Sequence, residues 1–226
     1  MLLILTQFLT KFIGAFRVFE YVSFRALLSC LFSLTATIMI GEWVIKWLTQ
    51  LKAGQTVRAD GPQTHLAKTG TPTMGGMLII LSITITSLLF ADLTNPYIWL
   101  LLFVLVATGA IGFVDDYKKI VYKDPKGLSA RAKMVCQTLI TVIVGLCLLY
   151  VIQLPKTTEV VIPFSKALAY PFGGLGFLIL TYLVVVGSSN AVNLTDGLDG
   201  LVSFPVITVA IGLGIFAYIA GNKIFA

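Results

Sequence analysis

The run "IWLLLFVLVATGAIGFVDDYKK", residues 98–119, decides the fold. Residues 98–114 carry no charge; Asp115 and Asp116 then stand side by side, followed by Lys118 and Lys119. A helix needs roughly 20 mostly apolar residues to cross the hydrocarbon core of a bilayer. The run therefore reads as a membrane span that closes at two acids. Like charges at such a place are costly, and the chemistry around them has to supply the reason.

Working outward, the whole chain has the same character. Of its 226 residues 58% are hydrophobic and 12% charged, whereas a soluble domain carries roughly 25% charged residues. The apolar residues come in blocks of spanning length. Six spans are expected, at about 23–45, 74–91, 97–114, 132–152, 174–192 and 201–220. The fold class is thus an all-α, polytopic integral membrane helix bundle, a single membrane domain over 1–226. The first ten residues, "MLLILTQFLT", have neither a basic stretch before them nor a small-residue cleavage site after them. They read as a short or interfacial N-terminal helix. No internal repeat or low-complexity tract stands out.

Orientation follows from lysine and arginine. Segment 46–70 holds Lys46, Lys52, Arg58 and Lys68, and segment 115–133 holds Lys118, Lys119, Lys123, Lys126, Arg131 and Lys133. The connection at 92–96 has none, and 153–173 has only Lys156 and Lys166. The positive-inside rule puts 46–73, 115–131 and, by alternation, 187–200 in the cytoplasm, with the N-terminus outside, on the periplasmic face. This sorting against anionic lipid explains the net charge of +6 without nucleic acid. Cys30, Cys136 and Cys147 lie in apolar runs without paired spacing and read as packing residues.

Three cytoplasmic segments then carry the chemistry. "VRADGPQTHLAKTGTPTMGGM", residues 57–77, reads either as a connecting loop or as a phosphate-binding entry to a helix, with Arg58, His65, Lys68, Thr71 and Thr73. Helix N-termini and their amides favour anions, and Lys or Arg adds point charge. In "FVDDYKKIVYKDPKGLSARAK" the lysines fit the headgroup level, but the adjacent aspartates gain little from each other. A divalent cation or a required proton acceptor resolves that conflict, since Mg²⁺ takes one or two carboxylates plus substrate phosphates. Neighbours on a helix point about 100° apart, so one acid can touch a metal while the other handles a proton or a nucleophile. In "GSSNAVNLTDGLDGL", residues 187–201, Asn190, Asn193, Asp196 and Asp199 recur every three residues. On a helix they would share a face; with Gly197 and Gly200 they could equally form a loop of Asx turns. Their regular spacing favours a metal-phosphate or sugar-nucleotide ligand.

At these residues the chain resembles a known family. "DGPQTHLAKTGTPTMGG", "GFVDDYKK", "KGLSARAK" and "NAVNLTDGLDGL" are similar to the bacterial phospho-N-acetylmuramoyl-pentapeptide transferases, and "FEYVSFRALLS" matches their first span. The wider superfamily of polyprenyl-phosphate N-acetylhexosamine-1-phosphate transferases shares the aspartate pair and the last loop, whereas "GTPTMGG" with its upstream "DGP" looks specific to the muramyl branch. The resemblance implies transfer of phospho-N-acetylmuramoyl-pentapeptide from its uridine diphosphate carrier to undecaprenyl phosphate, with release of UMP, at the inner membrane and with Mg²⁺. It implies that Asp115 and Asp116 are the catalytic pair, one acting as base on the lipid phosphate or as covalent nucleophile, with Asp116 a metal ligand. It further implies that Lys68, Thr73, Asn193, Asp196 and Asp199 line the nucleotide site, where Asn190 joins them by its spacing. A homodimer is the protein partner entertained.

The family has about ten spans, and this chain ends at "AGNKIFA" after the sixth expected one. A later aspartate that holds Mg²⁺ in the family and a histidine-rich loop have no counterpart here. A sister transferase using UDP-N-acetylglucosamine, a non-catalytic binding subunit and an ion-coupled transporter are the alternatives. A transporter would place acids near mid-span, yet only Glu42 falls inside an expected span, close to its end. The 226-residue chain by itself is therefore expected to show little or no transferase activity. Turnover by the purified chain, free of host enzyme, is the result that would contradict this.

Overall fold

The computed structural model describes residues 1–50, 74–122, 126–152, 158–161, 169–171, 173–195 and 200–221. They belong to two compact units, Met1–Ile152 and Gln153–Ala226. The first holds α1 (Leu2–Leu9), a short 3₁₀ helix (Gly14–Glu20), α2 (Val22–Gln50), α3 (Gly76–Phe90), α4 (Pro96–Val121) and α5 (Ala130–Leu146), which runs on as a π-helical turn, Cys147–Ile152. The second holds a two-stranded hairpin, β1 (Glu159–Val161) and β2 (Ala169–Pro171), then α6 (Gly173–Thr195) and α7 (Ser203–Ala220).

Among the described residues five helices are long and apolar enough to cross a membrane: α2, α4, α5 with its continuation, α6 and α7. The chain is a multi-pass membrane protein of the expected all-α class. The second expected span differs in length: α3 has 15 residues. At ~1.5 Å per residue it covers about 22 Å, less than the roughly 30 Å of a hydrocarbon core. Its C-terminal end is fixed where Ala91 turns extended, ahead of "DLTN". The third expected span is longer than read. It does not stop at the aspartates but continues to Val121. Lys118 and Lys119 in its last turn suit the negative end of the helix dipole and carry the helix past the acids.

Local signals explain the other ends. Pro96 opens α4 at its first turn, where a missing N–H costs nothing, and the Asn95 side chain caps it by accepting from the Tyr97 amide at 3.0 Å. Ser129 caps α5 through the Ala132 amide at 3.2 Å. The first residues form α1, as a short N-terminal helix should, with Leu3 and Thr6 buried. The hairpin was not foreseen; it pairs Glu159 with Pro171 and Val161 with Ala169 in antiparallel register.

In the first unit α2 packs on α3, α3 on α4 and α4 on α5. Lipid offers no hydrophobic drive between helices, so contacts rest on small residues and interhelical hydrogen bonds. Ser82 of α3 meets Ser33 at 2.9 Å and Thr37 at 3.0 Å, both on α2. Gly109 of α4 lies against the Ile80 side chain of α3, so closely that a Cβ there would collide with it. Large apolar side chains point away from this unit along these helices; Met39 is 80% exposed and Leu101 67%. Surfaces of that kind face acyl chains.

Gly109→Val is expected to wedge α3 from α4 and to lower stability by about 1–3 kcal/mol. Gly112→Val, whose added carbon meets nothing within 4 Å, serves as the comparison. Thermal unfolding in detergent checks the pair: equal melting of both variants would mean that the α3–α4 contact is not close-packed at Gly109.

Candidate functional site

Asp115 and Asp116 lie on the last two turns of α4, and the helix aims them differently. Asp115 points inward, 7% exposed. A carboxylate so placed must be matched, and it is matched three times. The Lys119 ammonium, one turn on, donates to its Oδ2 at 2.6 Å. On Oδ1 the Leu128 amide donates at 2.7 Å and the Lys133 ammonium lies at 3.0 Å. Lys119 is an i,i+4 partner on the same helix, whereas Lys133 belongs to α5 and Leu128 to the turn before it. The carboxylate thus ties the foot of α4 to the start of α5.

Asp116 is held far more loosely. Its Oδ1 meets Lys119 at 3.4 Å, and its side chain is 37% exposed. Among the described residues it has no other polar contact. The two aspartates and two lysines sum to zero charge, so like-charge repulsion is answered inside the protein. The lysines were expected to serve the headgroups; Lys119 and Lys133 are instead drawn to Asp115, because a buried carboxylate outbids the solvent for them.

The turn that delivers the Leu128 amide depends on Gly127. Its φ is +62°, a left-handed conformation that side chains resist. A Cβ at this position would also stand 2.5 Å from Asp115 Oδ1 and 2.9 Å from Lys119 Cε. Glycine is required here for both reasons.

The other expected site residues divide as follows. Asn190 and Asn193 lie on α6 in the second unit, and their spacing of three puts them on one face of that helix. Asn190 Nδ2 donates to the Val186 carbonyl at 2.8 Å; Asn193 is exposed. Lys68, Thr73, Asp196 and Asp199 lie outside the described residues. Among the described residues no group of three or more His, Cys, Asp or Glu side chains gathers to hold a metal. Of the aspartate pair, Asp116 is the one with room for a cation, since both oxygens of Asp115 are engaged by donors. Lys119, Lys133, Gly127 and Leu128 were not singled out as site residues from the sequence. The i,i+4 spacing of Asp115 and Lys119 was a legible signal; the reach of Lys133 and of the turn amide across from α5 was not.

A model of glycosyl transferase family 4 matches residues 98–226. The chain is 54% identical over 217 residues to the phospho-N-acetylmuramoyl-pentapeptide-transferase of Neisseria gonorrhoeae (strain NCCP11945), covering 96% of this chain and 60% of that protein. It is as similar to the transferase of the same name from Neisseria meningitidis serogroup A (strain DSM 15465 / Z2491), and 53% identical to that of serogroup C (strain 053442). The chain thus spans about 60% of the length of these curated relatives.

Gly127→Ala is expected to break the clasp on Asp115 and to cost about 1–3 kcal/mol of stability through backbone strain alone. Gly112→Ala, an open helical position, should be neutral or gain about 0.5–1 kcal/mol. Unfolding of the two variants in detergent decides; indifference to Gly127→Ala would show that the turn does not hold the carboxylate.

Proposed function

The chain belongs to glycosyl transferase family 4, and from that premise we propose that it carries the lipid-phosphate half of a phospho-N-acetylmuramoyl-pentapeptide transferase. In this reading residues 1–226 form one membrane domain of the bacterial inner membrane. Its N-terminus is periplasmic, and the foot of α4 faces the cytoplasm. The reaction makes the first lipid intermediate of peptidoglycan. A phosphate oxygen of undecaprenyl phosphate attacks the β-phosphorus of UDP-N-acetylmuramoyl-pentapeptide. The bond from that phosphorus to the bridging oxygen breaks, and UMP leaves with the oxygen.

One observation supports this most: the aspartate pair is unequal. Asp115 is neutralised and fixed, whereas Asp116 is half exposed and weakly held at the end of a long apolar helix. A lipid phosphate in the bilayer and a nucleotide in water would meet at that level. In this reading Asp116 takes a proton from the lipid phosphate; in the covalent alternative its carboxylate attacks the β-phosphorus, UMP leaves, and the lipid phosphate then displaces the carboxylate from the acyl phosphate. Asp115 orients the helix end and holds Lys119 and Lys133 as a positive frame for phosphate oxygens. The same Asp116 fits as one carboxylate ligand of Mg²⁺, the cation that would neutralise the diphosphate. To nucleotide binding we assign Lys68, Thr73, Asn190, Asn193, Asp196 and Asp199, on the match of their motifs to the family. A homodimer is compatible with this assignment.

The test is UMP release in detergent from undecaprenyl phosphate and UDP-N-acetylmuramoyl-pentapeptide. It is run on this chain and on the chain completed with the unmatched part of the Neisseria gonorrhoeae relative. The completed enzyme is expected to need a divalent cation and to reject UDP-N-acetylglucosamine. Asp116→Asn should cost about 10²-fold or more in rate, the scale of a lost general base. Full activity in Asp116→Asn would remove this residue from the chemistry, and turnover of the N-acetylglucosamine nucleotide would move the chain to the sister transferases.

A further inference from the structure

At the opposite end of α4, about 30 Å along the helix from Asp115 at ~1.5 Å per residue, a cavity of about 560 Å³ opens between α2, α3 and the α3–α4 turn. Its walls hold Arg25, Thr86 and Asp92 alongside apolar Val22, Phe90 and Ile98. Two facts about these polar groups stand out against the rest of the molecule. The Arg25 Nε and Nη1 atoms are buried and have no hydrogen-bond partner. A guanidinium stays charged, and a buried charged donor left unmet is among the costlier features a protein can carry. Thr86 is 5% exposed, and its hydroxyl is also without a partner. Several threonines of the apolar helices satisfy themselves: Thr108, Thr138, Thr141 and Thr181 each donate to the carbonyl four residues back, at 2.7–2.8 Å. Thr86 does not; Thr84 of α3 shares the unmet state but does not line this cavity.

Asp92 supplies the opposite charge in the same cavity. The hydroxyl of Thr94 at 2.7 Å and its amide at 3.1 Å hold the Asp92 carboxyl below the usual carboxylate range. Arg25 and Asp92 feel each other's charge, yet they form no ion pair within 4.0 Å. A cation and an anion line one cavity without closing on each other, beside an unmet hydroxyl and apolar walls.

We propose that this cavity binds the headgroup of a zwitterionic phospholipid, its phosphate on Arg25 and Thr86, its ammonium toward Asp92 and its glycerol and upper acyl chains against Val22, Phe90 and Ile98. Guanidinium N–H groups match phosphate oxygens in geometry and charge. The Thr86 hydroxyl adds a neutral donor to the same phosphate. The carboxylate tells against a singly anionic headgroup and in favour of one that carries its own cation. The site is separate from the aspartate pair and does not depend on the reaction assigned to it.

The experiment uses the 226-residue chain, purified and delipidated in a mild detergent. Retained lipid is counted by native mass spectrometry, and melting is followed after addition of phosphatidylethanolamine, phosphatidylglycerol or inorganic phosphate. Phosphatidylethanolamine is expected to be retained and to raise the melting temperature, phosphatidylglycerol less so, and inorganic phosphate not at all. Loss of charge-assisted hydrogen bonds should cut retention roughly tenfold in Arg25→Gln. Thr86→Val should also retain less lipid, yet melt no lower than the parent chain when lipid-free, because the hydroxyl it removes has no protein partner. Lys46→Gln, an exposed change near the other end of α2, should alter nothing. Retention unchanged in both Arg25→Gln and Thr86→Val would overturn the proposal, as would stabilisation by inorganic phosphate equal to that by lipid. Should Arg25→Gln fail to fold, Thr86→Val decides alone.

Discussion

A carboxylate buried at the end of an apolar helix has to be neutralised, and the way Asp115 is neutralised shapes everything around it. Its partners come from three places: Lys119 on its own helix, the Leu128 amide in the turn and Lys133 on the next helix. Removing any one would leave a charge only partly met, which is why buried ionic contacts are expensive to break even where they add little net stability. The triple contact fixes the rotation of α4 at its end and the approach of α5. It thereby decides that the neighbouring residue, about 100° around the helix, faces outward with most of its bonding capacity unspent. The exposure of Asp116 is a consequence of the burial of Asp115.

The second constraint is the solvent. In hydrocarbon every backbone group must be satisfied within its own helix, and side-chain hydroxyls fare best when they bond back onto that helix. The threonines that donate to carbonyls four residues earlier follow this rule. The small cluster of Ser33, Thr37 and Ser82 takes the other route and joins its hydroxyls across α2 and α3. Where side chains are small the helices come closest, as at Gly109 against Ile80. Elsewhere bulky apolar side chains are turned toward lipid, and α7 has no buried residue at all.

Much of this was legible in the sequence. The charge-free block before Asp115 announced α4, expected from about residue 97 and found from Pro96. The length of apolar runs gave the other long helices to within a few residues. Two readings fell short for physical reasons. By sequence the acids end a span, since charge normally stops one. Here the i,i+4 lysine lets the helix absorb them and go on to Val121. And α3 is shorter than its apolar run suggested, beginning at Gly76 because Met74 takes a left-handed conformation at φ 72° and ending at Phe90 before Ala91 turns extended. The partners of Asp115 across the α4–α5 turn were not legible, since contacts at a separation of 13 residues depend on a left-handed glycine whose conformation no composition reveals. Within "KGLSARAK" the order Gly127, Leu128, Ser129 can be read in hindsight as turn, amide donor and helix cap.

The two ends of α4 pose the same electrostatic problem and answer it differently. At one end two acids and two lysines close on one another within 3.4 Å. At the other, Arg25 and Asp92 share a cavity without forming a pair, and a buried hydroxyl stands idle beside them. A cluster that satisfies itself is finished by folding, and it leaves one group weakly held, Asp116. A set of opposite charges that could approach but does not is unfinished by folding. Among the described residues its partners are missing, and at a membrane face the zwitterion in greatest supply to provide them is the lipid itself. The difference between the ends lies in whether the protein's own groups complete the charge balance, and on the two proposals above it separates a reacting site from a lipid-holding one.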